Sequence, residues 1–138
     1  MIQQPYPCLW FDGKAQEAAA FYCSIFPNSK INSSNQLTTH FSLNGKDFMG
    51  LNGGSHFKFN ESISFVIECE NQEKIDHYWN SLIAENGVEG QCGWLKDSFG
   101  VSWQVIPSNL GELLNQSTIP VFMKMNKIIV QELIDVKH

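Results

Sequence analysis

No cluster of lysine or arginine occurs anywhere in the chain, and Lys+Arg number 9 against 14 Asp+Glu for a net charge of −5, so the electrostatic footprint of a nucleic-acid binder is missing. No run of about 18 apolar residues exists either, which removes a membrane-crossing helix and any membrane partner built on one. Met1 to Pro7 lacks the basic stretch and apolar core of an export signal, so a cytoplasmic protein is expected. CxxC pairs are absent as well. The four cysteines, Cys8, Cys23, Cys69 and Cys92, lie far apart without neighbouring histidines, which argues against structural zinc. With no oxidising context they are read as reduced, buried thiols. A GxSxG elbow is also missing, and no base accompanies Cys8 or Cys69 in the sequence, so no catalytic residue is assigned.

The 138 residues are 43% hydrophobic and 12% aromatic, enough for one domain with a real core. Ile2 to Phe11 reads as a strand ending at Asp12-Gly13, and Ala15 to Phe26 places Ala18, Phe21, Tyr22 and Ile25 at helical spacing before Pro27-Asn28-Ser29. The plan recurs. Ile63 to Cys69 is a β-rich run, followed by a helical stretch with Ile75, Tyr78, Trp79 and Leu82 that ends near Asn86-Gly87. Phe11 falls on Cys69, Asp12 on Glu70, Phe21 on Trp79 and Ile25 on Ile83, a constant offset of 58 residues without a gap.

Short strands are predicted after each helix: Lys30 to Thr39, His40 to Leu43 and Lys46 to Leu51, then Glu89 to Lys96 and Val101 to Ile106. Asn44-Gly45 is a two-residue hairpin signal, because both turn positions require positive φ. The expected fold class is therefore α+β, two βαβββ modules closing around a shared cavity. Leu110 to His138 differs in texture, with Leu113, Leu114, the Val121-Phe122-Met123-Lys124-Met125 run and a last amphipathic stretch through Ile129, Leu133 and Val136. These apolar residues pack either on the domain's own sheet or on a partner subunit.

Pro7-Cys8-Leu9-Trp10-Phe11-Asp12-Gly13, Ile25-Phe26-Pro27-Asn28-Ser29, Leu51-Asn52-Gly53-Gly54, Cys92-Gly93-Trp94-Leu95-Lys96-Asp97 and Ser102-Trp103-Gln104-Val105-Ile106-Pro107 occur in order and span nearly the whole chain. In these words the sequence resembles the PhnB-like family, also named 3-demethylubiquinone-9 3-methyltransferase, of the vicinal-oxygen-chelate superfamily that includes glyoxalase I and bleomycin-resistance proteins. The resemblance implies an incompletely closed glyoxalase-like barrel in a single domain over residues 1–138. Module one covers about 1–56, module two about 60–107, and a C-terminal helical extension about 108–138. It also implies a homodimer.

Active members of that superfamily hold a divalent metal at four inward strand positions, two per module, with His, Glu or Gln. Aligned by the strand-helix junctions, those positions are Tyr6, Phe48, Ser64 and Gln104. Phenol, phenyl, hydroxyl and amide are weak or useless ligands, so no metal and no cofactor are expected. His40, His56, His77 and His138 do not stand at these positions. A methyltransferase would need a Gly-rich turn after a first strand, and Gly50, Gly53 and Gly54 do not form one.

Strand alternation that turns Tyr6 inward turns Cys8 and Trp10 inward too, while Ser64 carries Val66 and Glu68, and Gln104 carries Ser102 and Ile106. Trp10 and Cys8 either wall an apolar cleft or fill the core. Glu68 is either a buried proton acceptor or a solvated strand end. Asn52 either orients a ligand at the rim or bonds its own turn. The expected partner is a small hydrophobic or aromatic molecule held by Tyr6, Trp10, Phe48, Asn52, Ser64, Glu68 and Gln104. The alternatives are a metal-dependent lyase, dioxygenase or isomerase, or a dimeric interaction module.

Overall fold

The computed structural model describes residues 4–137 and divides the chain into two compact units, Met1–Phe59 and Asn60–His138. In the first, strand β1 (Cys8–Phe11) leads into helix α1 (Ala15–Ile25), then β2 (Lys30–Ser34), β3 (Thr38–Leu43) and β4 (Lys46–Asn52). The sheet order is β1-β4-β3-β2, with β1 parallel to β4 and the other pairs antiparallel. The second unit repeats the scheme with β5 (Ser64–Cys69), α2 (Gln72–Ile83), β6 (Val88–Glu89), β7 (Trp94–Lys96) and β8 (Ser102–Pro107), in the order β5-β8-β7-β6. Neither four-stranded sheet closes into a barrel. This is the α+β, twice-repeated βαβββ arrangement expected from the sequence, with α3 (Leu110–Leu113), α4 (Ile119–Phe122) and α5 (Val130–Lys137) as its C-terminal helical extension.

Each helix covers one face of its own sheet. Ala15, Ala18, Ala19 and Tyr22 of α1 are fully buried, small alanines letting the helix lie close to Gly50, where an added Cβ would come within 3.1 Å of the Ala15 Cβ. Phe41 and Phe48 stack at 5.4 Å beneath Tyr22. In the second unit Ile75, Trp79 and Leu82 of α2 are buried, as are Leu95, Trp103 and Val105 of the sheet. Burying side chains of this size stabilises by roughly 1.5–3 kcal/mol each.

The strand limits depart from the sequence reading where local chemistry interrupts the ladder. β1 begins only at Cys8, because Pro5 and Pro7 have no N–H to donate; Ile2 lies outside the described residues. The predicted strand Lys30 to Thr39 breaks into two at an Asx turn, in which Asn35 Oδ1 accepts from the N–H groups of Leu37 and Thr38. Glu89 to Lys96 breaks likewise, with Cys92 at φ 60° and Gly93 at φ 83°. At Gly93 an added Cβ would sit 2.7 Å from the Val105 carbonyl oxygen. The Asn44-Gly45 turn has φ of 48° and 84°, as its sequence demanded.

The C-terminal segment packs on its own unit. Leu113, Met125, Ile128 and Leu133 form a buried cluster joined by Ile106. Cys92 and Gly93 donate their N–H groups to the carbonyls of Met125 and Asn126, and the Gln72 side chain donates to Ile128 O and accepts from Val130 N. No described helix is long and apolar enough to cross a membrane.

Candidate functional site

Each sheet has one face under its helix and one face turned away from it, and the second kind is where a ligand can be met. In the first unit, Leu9 and Phe11 point to α1, so Cys8 and Trp10 occupy the open face. Trp10 is half-buried and held firmly: its indole Nε1 donates to Gly54 O at 2.8 Å, and its ring lies so close to Gly53 that a Cβ there would be 2.3 Å from Cε2. Phe57, two-thirds exposed, meets it edge-on at 4.9 Å. Glycine at position 53 is thus what allows the indole to lie flat on the chain.

Phe48 requires a correction. It pairs with Phe41 under α1 and is 5% exposed, so it belongs to the helix-covered face. The offset of 58 makes Cys8 equivalent to Val66; their strand partners are Met49 and Gln104, so the position equivalent to Gln104 is Met49. The expected register was one residue out; the second unit is 3 residues shorter between these partners, 49 − 8 = 41 against 104 − 66 = 38, so the offset of 58 does not carry into the last strand. Nothing in the composition of β4 marks that shortening. Tyr6 is exposed ahead of β1 and lines a hollow of about 200 Å³ with Asn32, His40, Phe41, Asp47 and Phe48.

Asn52 is a structural clasp. Its Oδ1 accepts from the Ala15 N–H at 2.9 Å and its Nδ2 donates to Gln36 O at 3.0 Å, so both ends are committed to backbone. It serves as the missing cap of α1, whose own N-cap Lys14 contributes no side-chain bond.

In the second unit the open face carries Ser64, Val66 and Glu68 on β5, Ser102 and Gln104 on β8, and Trp94 and Lys96 on β7. Gln104 Nε2 donates to Ser64 Oγ at 2.8 Å. Glu68 is exposed, which answers the sequence alternative in favour of a solvated carboxylate. Lys96 is engaged by Glu61 at 2.9 Å, and that ammonium holds the Glu61 carboxyl below its ordinary range.

Asp97 and Trp103 have a role that their sequence motifs alone do not assign. The buried Asp97 carboxylate accepts from Phe99 N, Val101 N and Trp103 Nε1 at 2.9–3.1 Å, tying the β7–β8 turn to the core. The Asp-Ser-Phe-Gly stretch is a turn signal that could have revealed it. The cysteines differ from expectation too: all four are free thiols, but only Cys69 is buried, while Cys8 is exposed and Cys23 and Cys92 are intermediate. Burial pushes the Cys69 thiol up to about 11, against a weaker opposing pull from Lys74.

At the positions expected from the resemblance, with Met49 replacing Phe48, stand a phenol and a thioether in the first unit, Tyr6 and Met49, and a hydroxyl bonded to an amide in the second, Ser64 and Gln104. With one amide and no carboxylate or imidazole among them, they fit a divalent cation poorly. Among the described residues no three His, Cys, Asp or Glu side chains come together in a way that could hold a metal ion. Two further hollows, of about 440 and 290 Å³, lie along the C-terminal segment and at the start of α2, and contain none of the seven expected residues.

Two helix-backed βαβββ sheets with open faces define a glyoxalase-like protein of the vicinal-oxygen-chelate superfamily. The family profile of 3-demethylubiquinone-9 3-methyltransferase matches residues 3–106. The chain belongs to that family, the PhnB-like branch of the superfamily. Among solved structures it is similar to a Bacillus cereus PhnB protein carrying the same methyltransferase name, at 31% identity and TM-score 0.68, over 75% of this chain and 99% of that one. A fosfomycin resistance protein, FosX, from Listeria monocytogenes, complexed with Mn(II) and sulfate, shares the fold at 19% identity and TM-score 0.58, over 81% and 95% of the two chains. So does a glyoxalase/bleomycin resistance protein from Albidiferax ferrireducens, at 12% identity and TM-score 0.55, over 72% and 93%. No curated protein matches the chain. The family profile stops at residue 106, before the C-terminal helices.

Proposed function

We propose that the protein is a metal-free binder of a small hydrophobic or aromatic molecule, acting as one glyoxalase-like domain in a cytoplasmic homodimer. The observation that carries the reading is the Ser64–Gln104 bond, a neutral hydroxyl–amide pair that leaves no carboxylate or imidazole at positions where metal-dependent superfamily members place His, Glu or Gln. Trp10 supports it from the first sheet, as an aromatic surface held in place by Gly53 and Gly54. Tyr6 and Met49 complete the set with groups that contact organic surfaces well and hard cations poorly. Glu68 stays in the proposal as a solvated carboxylate on the same face as Ser64. Asn52 and Phe48 leave it, the first as a clasp and the second as core.

A metal-dependent lyase, dioxygenase or isomerase needs a donor set these positions lack, and the methyltransferase of the family name needs a cofactor turn the sequence does not contain. A thermal-shift screen against metabolites, run with and without chelator, tests the reading. Ligand at a hundred times its Kd adds about 2.7 kcal/mol to stability. The expected result is a hydrophobic or aromatic compound whose shift is unaffected by chelator and disappears in Trp10→Ala. A shift that depends on added Mn²⁺ or Zn²⁺ overturns it. Sedimentation at working concentration reads the homodimer, and a monomer there removes that part.

A further inference from the structure

The open face of the second sheet presents a donor and an acceptor side by side. Ser64 Oγ spends a lone pair on the Gln104 amide N–H, which leaves the Ser64 hydrogen free to donate outward. Gln104 keeps its carbonyl Oε1, which accepts no hydrogen bond among the described residues. In strand register Gln104 lies between Val66, which is 53% exposed, and Trp94, so apolar surface flanks the pair on both sides. Ser102, the register neighbour of Ser64 and Lys96 on the same face, is 1% exposed, and its Oγ is the buried side-chain polar atom without a partner among the described residues.

We infer that this face reads the edge of a planar, uncharged amide or lactam, its C=O accepting from Ser64 and its N–H donating to Gln104 Oε1, with the attached ring against Val66 and Trp94. The inference rests on the small-molecule reading above and adds the polar head of the ligand. A carboxylate of the same shape has no N–H and sets its oxygen lone pairs against Gln104 Oε1. The cation on this row, Lys96, is already engaged by Glu61, and Glu68 adds a negative charge to the face. A ketone satisfies Ser64 but strips water from Gln104 Oε1 without replacing it.

Three naphthalenes that differ only in the head, 1-naphthamide, 1-naphthoate and 1-acetonaphthone, provide the test. Each is titrated into ¹⁵N-labelled full-length protein, in wild type, Gln104→Leu and Ser64→Ala, while the backbone amide signals of β5 and β8 are followed and, where Gln104 is present, its side-chain NH₂ signals too. The naphthamide is expected to bind about tenfold more tightly than the other two, one well-made buried hydrogen bond being of that size. In Gln104→Leu the preference collapses while acetonaphthone affinity persists, in Ser64→Ala naphthamide and acetonaphthone both weaken because each loses the donor to its C=O, and dispersed amide spectra report that the fold is retained. Equal binding of all three overturns the inference and leaves the small-molecule reading standing. Binding by none of them, with folded protein, removes both.

Discussion

The two halves share a frame and differ in how they begin their helices. In the second, α2 is capped locally: the Asn71 side chain accepts from Lys74 N at 2.9 Å, three residues ahead. In the first, α1 has no local cap and borrows Asn52 from the end of β4, 37 residues away. One helix start is written in its own sequence, whereas the other exists only once the sheet has formed. The open faces diverge in the same manner. The first is furnished with an indole pinned by backbone, the second with a hydroxyl–amide pair. A repeated fold thus constrains the layers while leaving each open face free to acquire its own chemistry.

The largest expected effect falls on the second half. Asp97→Ala strips the acceptor from two backbone N–H groups and from the Trp103 indole, and should cost about 3 kcal/mol or more in denaturant unfolding. Trp103→Phe, which loses one of the three bonds, should cost less. An Asp97→Ala protein as stable as wild type would remove the turn from the account.

Next comes Gly53→Ala in the first half, where the new Cβ displaces the Trp10 ring; overpacking of this kind costs about 1–3 kcal/mol. The same change made in a Trp10→Ala background should be nearly neutral, because the clash partner is gone. A double-mutant cycle reads that coupling, and additive losses would contradict the contact.

The helix starts give a smaller and more pointed comparison. Asn71→Ala should cost about 1 kcal/mol, the ordinary value of a local cap. Asn52→Ala should cost more, about 1–2 kcal/mol, because it abandons Ala15 N and Gln36 O together. Hydrogen exchange at the α1 amides should rise in Asn52→Ala and stay unchanged in Asn71→Ala; the reverse order would break the contrast.

Smallest is a pH effect at Cys69, buried at the end of β5. Its folded pKa is raised from an ordinary 9.0 to about 11, so the thiol form is favoured by folding. The stability it contributes is complete below about pH 9 and is lost as pH climbs through 11. Cys69→Ala should flatten that alkaline slope, and alkylation of Cys69 should require unfolding while exposed Cys8 reacts in the native state.

Much of the frame was legible from residues alone. The offset of 58 aligned Phe11 with Cys69 and Ile25 with Ile83, and both helices do end at those last positions. The Asn44-Gly45 turn announced itself because few residues adopt its backbone. The failures share a cause, which is chemistry that depends on distant residues. Phe48 and Met49 are both apolar, so alternation could not say which faced α1, and only pairing with β1 fixes it. Asn52 before two glycines looks like a turn residue until Ala15 is brought beside it. Ser64 and Gln104 were placed on one face by pattern, but their bond spans 40 residues and requires β5 and β8 to be neighbours.

The central claim is that Tyr6, Met49, Ser64 and Gln104 do not grip a divalent cation. Calorimetric titration of Mn²⁺, Ni²⁺ and Zn²⁺ into metal-stripped, tag-free protein tests it most directly. The account predicts no stoichiometric site tighter than about millimolar, a Kd corresponding to roughly −4 kcal/mol. A one-to-one micromolar site that is lost in Gln104→Ala would contradict it.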